Sequence, residues 1–379
     1  MAGWDADRLV AEVQRLGIRS LPRDRYFEEL GARLRRTLPI DAACWHGLDP
    51  RTLLLTTANP VELVERGFLS EQTEPVAARS VIASEYQRED YNTFAGLARR
   101  RAPVGILSEA CRGRPERSAR YREFLAPSGT PFELRAAMVT RGRAWACVVL
   151  HRTAATGDFQ PAEARLMARL SRPIANGVRA SLLRDAALRS EDEGAPGMIL
   201  LGPRDELELI TPPAERFVEL LREESSSSST LPPPILAAAA SARRRPADAV
   251  EGVTLHVPSG IGWLTLYASY PQGVRSGRVA IVIQLTKGET ASALRLEAHG
   301  LTSREQEVAA LAAHGLTTEA LAERLFLSPW TVQDHLKSIF DKTGTHSRRQ
   351  LRAQIFHETY LPAIARQSPL DANGSPVPQ

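Results

Sequence analysis

The segment from Gly300 to Phe356, GLTSREQEVAALAAHGLTTEALAERLFLSPWTVQDHLKSIFDKTGTHSRRQLRAQIF, decides the reading of this chain, because its helix boundaries are spelled out one after another. Thr302 and Glu305 stand in capping-box spacing, where the hydroxyl and the carboxylate each satisfy a backbone donor at a helix start. Val308, Leu311 and Ala312 form the inner face of that helix and Gly315 stops it. Thr317 caps a second helix, with Ala320, Leu321 and Leu325 to one side. The turn Phe326-Leu327 leads to Ser328-Pro329, an N-cap followed by proline at the first helical position. Along the third helix Val332, Leu336, Ile339 and Phe340 fall on one stripe, while Trp330, Gln333, Asp334, Lys337 and Asp341 fall on the other. Gly344 supplies a left-handed stop, and Ser347 with Gln350 repeats the capping box for a fourth helix. An exposed polar face on a capped third helix is what a DNA major groove admits.

This segment resembles the DNA-binding domain of the LuxR family of regulators. The anchors that carry the resemblance are Leu301, Thr302, Arg304, Glu305, Glu307, Val308, Gly315, Leu316, Ala322, Leu325, Ser328, Thr331, Val332, His335, Leu336, Ile339, Lys342, Gly344 and Arg348. The resemblance implies that the helix from Pro329 to Thr343 reads bases, with Gln333, Asp334 and Lys337 facing the groove. It further implies that Thr317, Thr318, Ser328, Thr331, His335, Lys342 and Arg348 contact the DNA backbone or hold the motif, and that the helix beginning at Arg348 is a dimer surface. Two residues depart from the family pattern. Gln333 stands where lysine is usual, which exchanges a phosphate or guanine partner for a side chain that prefers adenine edges. Ala320 stands where glutamate is usual, which removes the reciprocal cap on Thr317; the cost is about 1 kcal/mol or less, and Glu319 can offset it through the helix dipole. From Glu297 to His357 seven Lys and Arg face seven Asp and Glu, so the domain is not basic as a whole and only its later part carries a positive patch.

Outward from this segment the chain reads as α+β. Tyr26, Phe27, Leu30 and Leu34 recur at helical spacing between Asp24 and Thr37. Strand-like runs follow at 42–47 and 52–57 around Asp49-Pro50, and again at 132–140 and 144–151 around Arg141-Gly142-Arg143. A long amphipathic helix is predicted from Pro161 to about Arg189, with Pro173 as a candidate kink. This layout resembles a GAF sensor domain and predicts a first domain over 1–190. A second α+β segment over 196–286, with strands at 197–201, 207–210, 253–257, 263–267 and 279–285 and a helix from Pro212, resembles a PAS sensor domain. Its serine, proline and alanine tracts over 225–246 predict a disordered insertion, with Arg243 to Arg245 solvated. Residues 287–298 are expected to be a linker, 299–360 the helix-turn-helix domain, and 367–379 a disordered tail.

With 379 residues, 43% of them apolar and 24% charged, the chain has the composition of a folded protein of two or three domains. The net charge of +4 is compatible with nucleic acid without demanding it. Cys44, Cys111 and Cys147 form no paired motif, so no disulfide framework or zinc site is expected and a cytoplasmic location is. No signal peptide or membrane span is read from the sequence. Cys44 and Trp45 on one strand, with Trp145 and Cys147 on another, are candidates to line a sensor pocket, against the bland reading as core residues. The nucleotide loop, H-E-x-x-H and G-x-S-x-G patterns are missing, so neither an enzyme nor a cofactor is expected. The sequence therefore predicts a multidomain protein: α+β sensor domains followed by an all-α four-helix helix-turn-helix domain. Its expected partners are double-stranded DNA and a second copy of itself, with RNA polymerase and a small-molecule effector as further candidates. The rival reading is an interaction protein whose helix-turn-helix docks on another protein.

Overall fold

The computed structural model describes residues 6–70, 72–187, 195–225, 231–245, 252–270, 277–286 and 288–359, and divides into two compact units, Met1–Leu285 and Thr286–Gln379. The expected tail over 367–379 lies outside the described residues. Among the described residues no helix is long and apolar enough to cross a membrane.

The first unit opens with helices α1 (Ala6–Ile18) and α2 (Arg23–Thr37), then strands β1 (Ala42–Leu48) and β2 (Leu55–Asn59). Short helices α3 (Val61–Glu65), α4 (Glu74–Tyr86), α5 (Phe94–Ala98) and α6 (Leu107–Ala110) surround β3 (Val104–Ile106). Next come β4 (Phe132–Thr140), β5 (Arg143–Arg152) and the long α7 (Pro161–Ala187), which runs on through Pro173. The strands form an antiparallel sheet in the order β2-β1-β5-β4-β3. Strand β2 starts three residues later than the sequence suggests, because Asp49 builds a longer turn: its carboxylate accepts from the Arg51 amide at 2.8 Å and the Thr52 hydroxyl at 3.0 Å.

Helices α1, α2 and α7 pack together along one face of this sheet. Contact between α1 and α7 requires glycine. A Cβ on Gly17 would stand 3.1 Å from the Gly177 Cα, and one on Gly177 would overlap the fully buried Tyr26 ring. On this helix-covered face Trp45 stacks on Phe27 at 5.1 Å, and the Arg179 guanidinium lies 5.8 Å from the Trp145 ring. Cys44 belongs to the opposite face, as does Cys147, which is in register with His46. The four candidates for one pocket are thus split between the two faces of the sheet, all buried as core residues, and only Cys44 borders a cavity. Successive strand residues alternate sides, so Cys44 and Trp45 cannot share one.

A second antiparallel sheet in the same unit combines β6 (Gly197–Leu201), β7 (Leu207–Ile210), β8 (Val253–Ser259), β9 (Gly262–Ser269) and β10 (Val279–Leu285) in the order β7-β6-β10-β9-β8. Counted along the chain, this is the strand order of the first sheet. Helix α8 (Pro212–Glu223) packs on β6. The expected disordered insertion is corrected over Pro233–Arg243, which forms helix α9 with Ile235, Leu236 and the alanines 237–240 buried. Two prolines at its start fit the free N–H positions of a first turn, and alanine, the best helix former, lets the backbone approach a sheet closely. Residues 226–230 and 246 of that insertion lie outside the described residues. Arg243 is held as well, by Asp205 at 2.5 Å and by the carbonyls of Gly202 and Gly277, whereas a solvated side chain was expected. Helix α9 packs on β8, β9 and β10 of its own sheet and on β2 and α4 beside the first, so one continuous core joins both halves.

The second unit consists of α10 (Gly288–Ala298), α11 (Ser303–Ala313), α12 (Thr318–Leu325), α13 (Pro329–Thr343) and α14 (Arg348–Thr359). The expected linker is a helix, and Leu296 from its last turn enters the core formed by Val308, Leu321, Val332, Leu336, Ile339 and Leu351.

Candidate nucleic-acid interface

The caps read from the sequence form. Thr302 and Glu305 make the full capping box of α11, the Thr302 amide donating to the carboxylate at 2.7 Å. Thr317 accepts from the Ala320 amide at 3.2 Å, and Ser328 from the Thr331 amide at 3.0 Å. Loss of the usual glutamate at 320 is met one residue earlier: the Glu319 carboxyl is held below the ordinary carboxylate range by its own backbone amide and by the Thr317 hydroxyl. At α14 the cap is modified. Ser347 accepts from the Gln350 amide at 3.2 Å, while the Gln350 side chain accepts from the amide of His346, one residue before the cap.

Helix α13 buries Val332, Leu336 and Ile339 and leaves Trp330, Gln333, Asp334, Lys337 and Asp341 exposed. Thr318, Gln333, Lys337, Asp341, His346 and Arg348 border one open depression of ≈490 Å³, so four of the predicted contact residues converge there. Several of the predicted residues, Arg348 among them, also play visible roles inside the domain. Arg348 donates to the Leu316 carbonyl at 2.9 Å and to the Thr318 hydroxyl at 2.7 Å, tying the start of α14 to the entry of α12. Lys342 is ion-paired with Glu305, which also accepts from Ser338 at 2.7 Å. Burial alone would raise the Glu305 carboxyl; Lys342, Ser338 and Thr302 outweigh it and bring the group down to about 2. Ser328 and Thr331 hydroxyls lie 2.8 Å apart, and His335 is half-buried. Arg304, quoted only as a family anchor, donates to the Leu325 carbonyl and so closes the end of α12.

Phe326 is the residue whose surroundings the sequence did not announce. It closes α12 in the left-handed conformation, with φ 54°, and is 95% exposed beside Trp330 at 72%. An unfavourable conformation for an aromatic residue, displayed to solvent in the turn before α13, carries no packing explanation.

Short capped helices that bury one common stripe, with an exposed polar α13 following a tight turn, define a helix-turn-helix domain. Residues 299–353 match the family described as bacterial regulatory proteins, luxR family, so the C-terminal unit carries a LuxR-family helix-turn-helix domain. Three proteins provisionally named HTH-type transcriptional regulators, one from Mycobacterium bovis and two from strains of Mycobacterium tuberculosis, are 47% identical to this chain over 51 residues. That segment is 14% of this chain and 6% of each relative. The chain therefore matches only a small part of their length. No solved structure matches the chain.

Proposed function

We propose that the chain is a sequence-specific DNA-binding transcription regulator that acts as a homodimer. The observation that carries this reading is the luxR-family match over residues 299–353, together with a capped α13 whose Gln333, Asp334 and Lys337 stand exposed in a row. In this reading α13 enters the major groove, Gln333 reads an adenine edge and Lys337 reaches a phosphate or a guanine. Thr317, Thr318, Ser328 and Thr331 lie near phosphates at helix starts, where backbone amides favour anions. Lys342, Arg348 and His335 act one step back, by holding α11, α12 and α14 in place. The helix–sheet–helix order of the first unit supports GAF-like and PAS-like modules that receive a signal, and a ligand acts through them only by preferring one arrangement of the dimer. RNA polymerase is the partner such a regulator would address.

A second reading is favoured by one observation, the exposure of two large apolar side chains, Phe326 in the turn before α13 and Trp330 in its first turn: this part of the domain docks on a protein. Selection of binding sites from random DNA with the full chain separates the two. The regulator reading expects enrichment of one sequence motif, and Gln333→Lys changes the preferred base at one position by about 1–3 kcal/mol. If only Gln333→Lys enriches DNA, the protein-docking reading holds.

A further inference from the structure

The first unit encloses a cavity of ≈60 Å³ on the face of the first sheet opposite α7, closed on its far side by Pro233 and Leu236 of α9. Most of its wall is apolar, with Leu55, Leu63, Val81 and Phe124 among the contributors. Set into that wall is a group of polar side chains that belongs to no site described above. Arg120 is 1% exposed and grips Glu133 with two bonds, of 3.0 and 2.8 Å. Arg135 is fully buried, paired with Glu85, and its guanidinium stacks 3.9 Å above the Phe94 ring.

These pairs leave donors over. Arg135 Nε and Nη2 have no hydrogen-bond acceptor among the described residues, and neither His46 Nδ1 nor His151 Nδ1 has a hydrogen-bond partner. Arg135, His46 and His151 all border the cavity. Leaving such groups unmatched in an apolar interior is costly, so they mark a place where a further molecule makes up the bonds. The charge is already met from within. Glu85, Asp90 and Glu133 stand against Arg120 and Arg135, one carboxylate more than the two cations, so an added anion would meet an excess of negative charge. Burial, then the nearby Arg135 cation, holds His46 down to about 3; burial likewise holds His151 down to about 4, so both rings are neutral.

We propose that this cavity is a binding site for a small uncharged molecule carrying a carbonyl or amide oxygen, which accepts from Arg135 and is flanked by the imidazoles of His46 and His151. The size limits the occupant: a cavity of about 150 Å³ holds benzene, so this one takes only a few heavy atoms without movement. Because α9 closes the cavity, the ligand touches both halves of the first unit. This inference rests on the sensor reading of that unit, yet it is tested without DNA, so its failure leaves the DNA-binding reading standing.

The test uses the full chain and an isosteric pair of probes, acetamide and acetate, with the ring ¹⁵N–¹H signals of His46 and His151 as readout, assigned through His46→Gln and His151→Gln. Acetamide is expected to shift both ring signals saturably, with acetate at least about 10-fold weaker. Val81→Trp, at a half-buried wall position that tolerates change better than the ion-pair network, is expected to abolish the shift, and Arg135→Lys to weaken it about 10-fold. No shift with acetamide at about 50 mM, far above weak millimolar affinities, would overturn the site. Acetate binding as well as acetamide would overturn the ligand class, and an unchanged response in Val81→Trp would place the binding elsewhere.

Discussion

Glu305 shows how one residue serves both the start of a helix and the packing of the domain. Its carboxylate caps α11, accepts from Ser338 and pairs with Lys342 of α13, and the group titrates near 2 where an unperturbed glutamate titrates near 4.5. A carboxyl depressed in the folded state contributes stability that is fully present above its unfolded value and disappears as pH falls from there through the folded value. The C-terminal unit is therefore expected to lose on the order of 3 kcal/mol between about pH 5 and pH 2 from this group alone. Glu305→Gln should be less stable at neutral pH and should flatten that part of the acid profile, as read by denaturant unfolding at a series of pH values. An acid profile unchanged by the substitution would remove Glu305 from this role. The capping half of this account was legible from the spacing of Thr302 and Glu305. Its pairing with Lys342, 37 positions away, was not. From the sequence Lys342 reads as a residue that contacts the DNA backbone or holds the motif, because a lone cation carries no sign of its partner.

Among the elements, those whose residues alternate or recur with a clear period were readable: β4, β5 and β10 lie where their apolar runs place them, and α7 follows its four-residue steps. Helices α9 and α10 were not. Their alanine, serine, proline and glycine composition lacks an amphipathic stripe, and α9 is buried nearly all round, so no polar face advertises it. That Cys44-Trp45 and Trp145-Cys147 cannot all line one pocket follows from a rule the sequence already contained, the two-residue period of a strand; only Cys44 borders the cavity. The buried arginines and glutamates beside the cavity were invisible for another reason: charged side chains default to the surface unless a partner far along the chain is known. The α1–α7 crossing offers a test at this scale. Helix propensity favours alanine over glycine by about 1 kcal/mol, but a Cβ on Gly177 would lie 2.0 Å from the Tyr26 hydroxyl and 2.2 Å from its ring carbon. Displacing a fully buried tyrosine costs about 1–3 kcal/mol, so Gly177→Ala is expected to lower the melting temperature. A rise would mean that Tyr26 of α2 moves aside at little cost.

At the scale of the whole molecule, the sequence suggested two sensor domains in series, whereas the first 285 residues form a single unit. Helix α9 is one join. Others are the Arg23–Glu224 ion pair at 2.7 Å, the Ser225 hydroxyl donating to the Ala58 carbonyl at 2.9 Å, and the His256 amide donating to Asp49 at 2.9 Å. The two sheets thus share one core, and in the proposed regulator this unit is the input body and the C-terminal unit the DNA-reading body. The most direct measurement is the affinity of the full chain for its selected DNA site across a series of salt concentrations, with Lys337→Ala alongside. Log affinity is expected to fall linearly with log salt, and the variant to bind more weakly with a slope smaller by about 1. Affinity that does not vary with salt, or affinity and slope both unchanged in Lys337→Ala, would contradict the assignment of α13 as the helix that meets DNA.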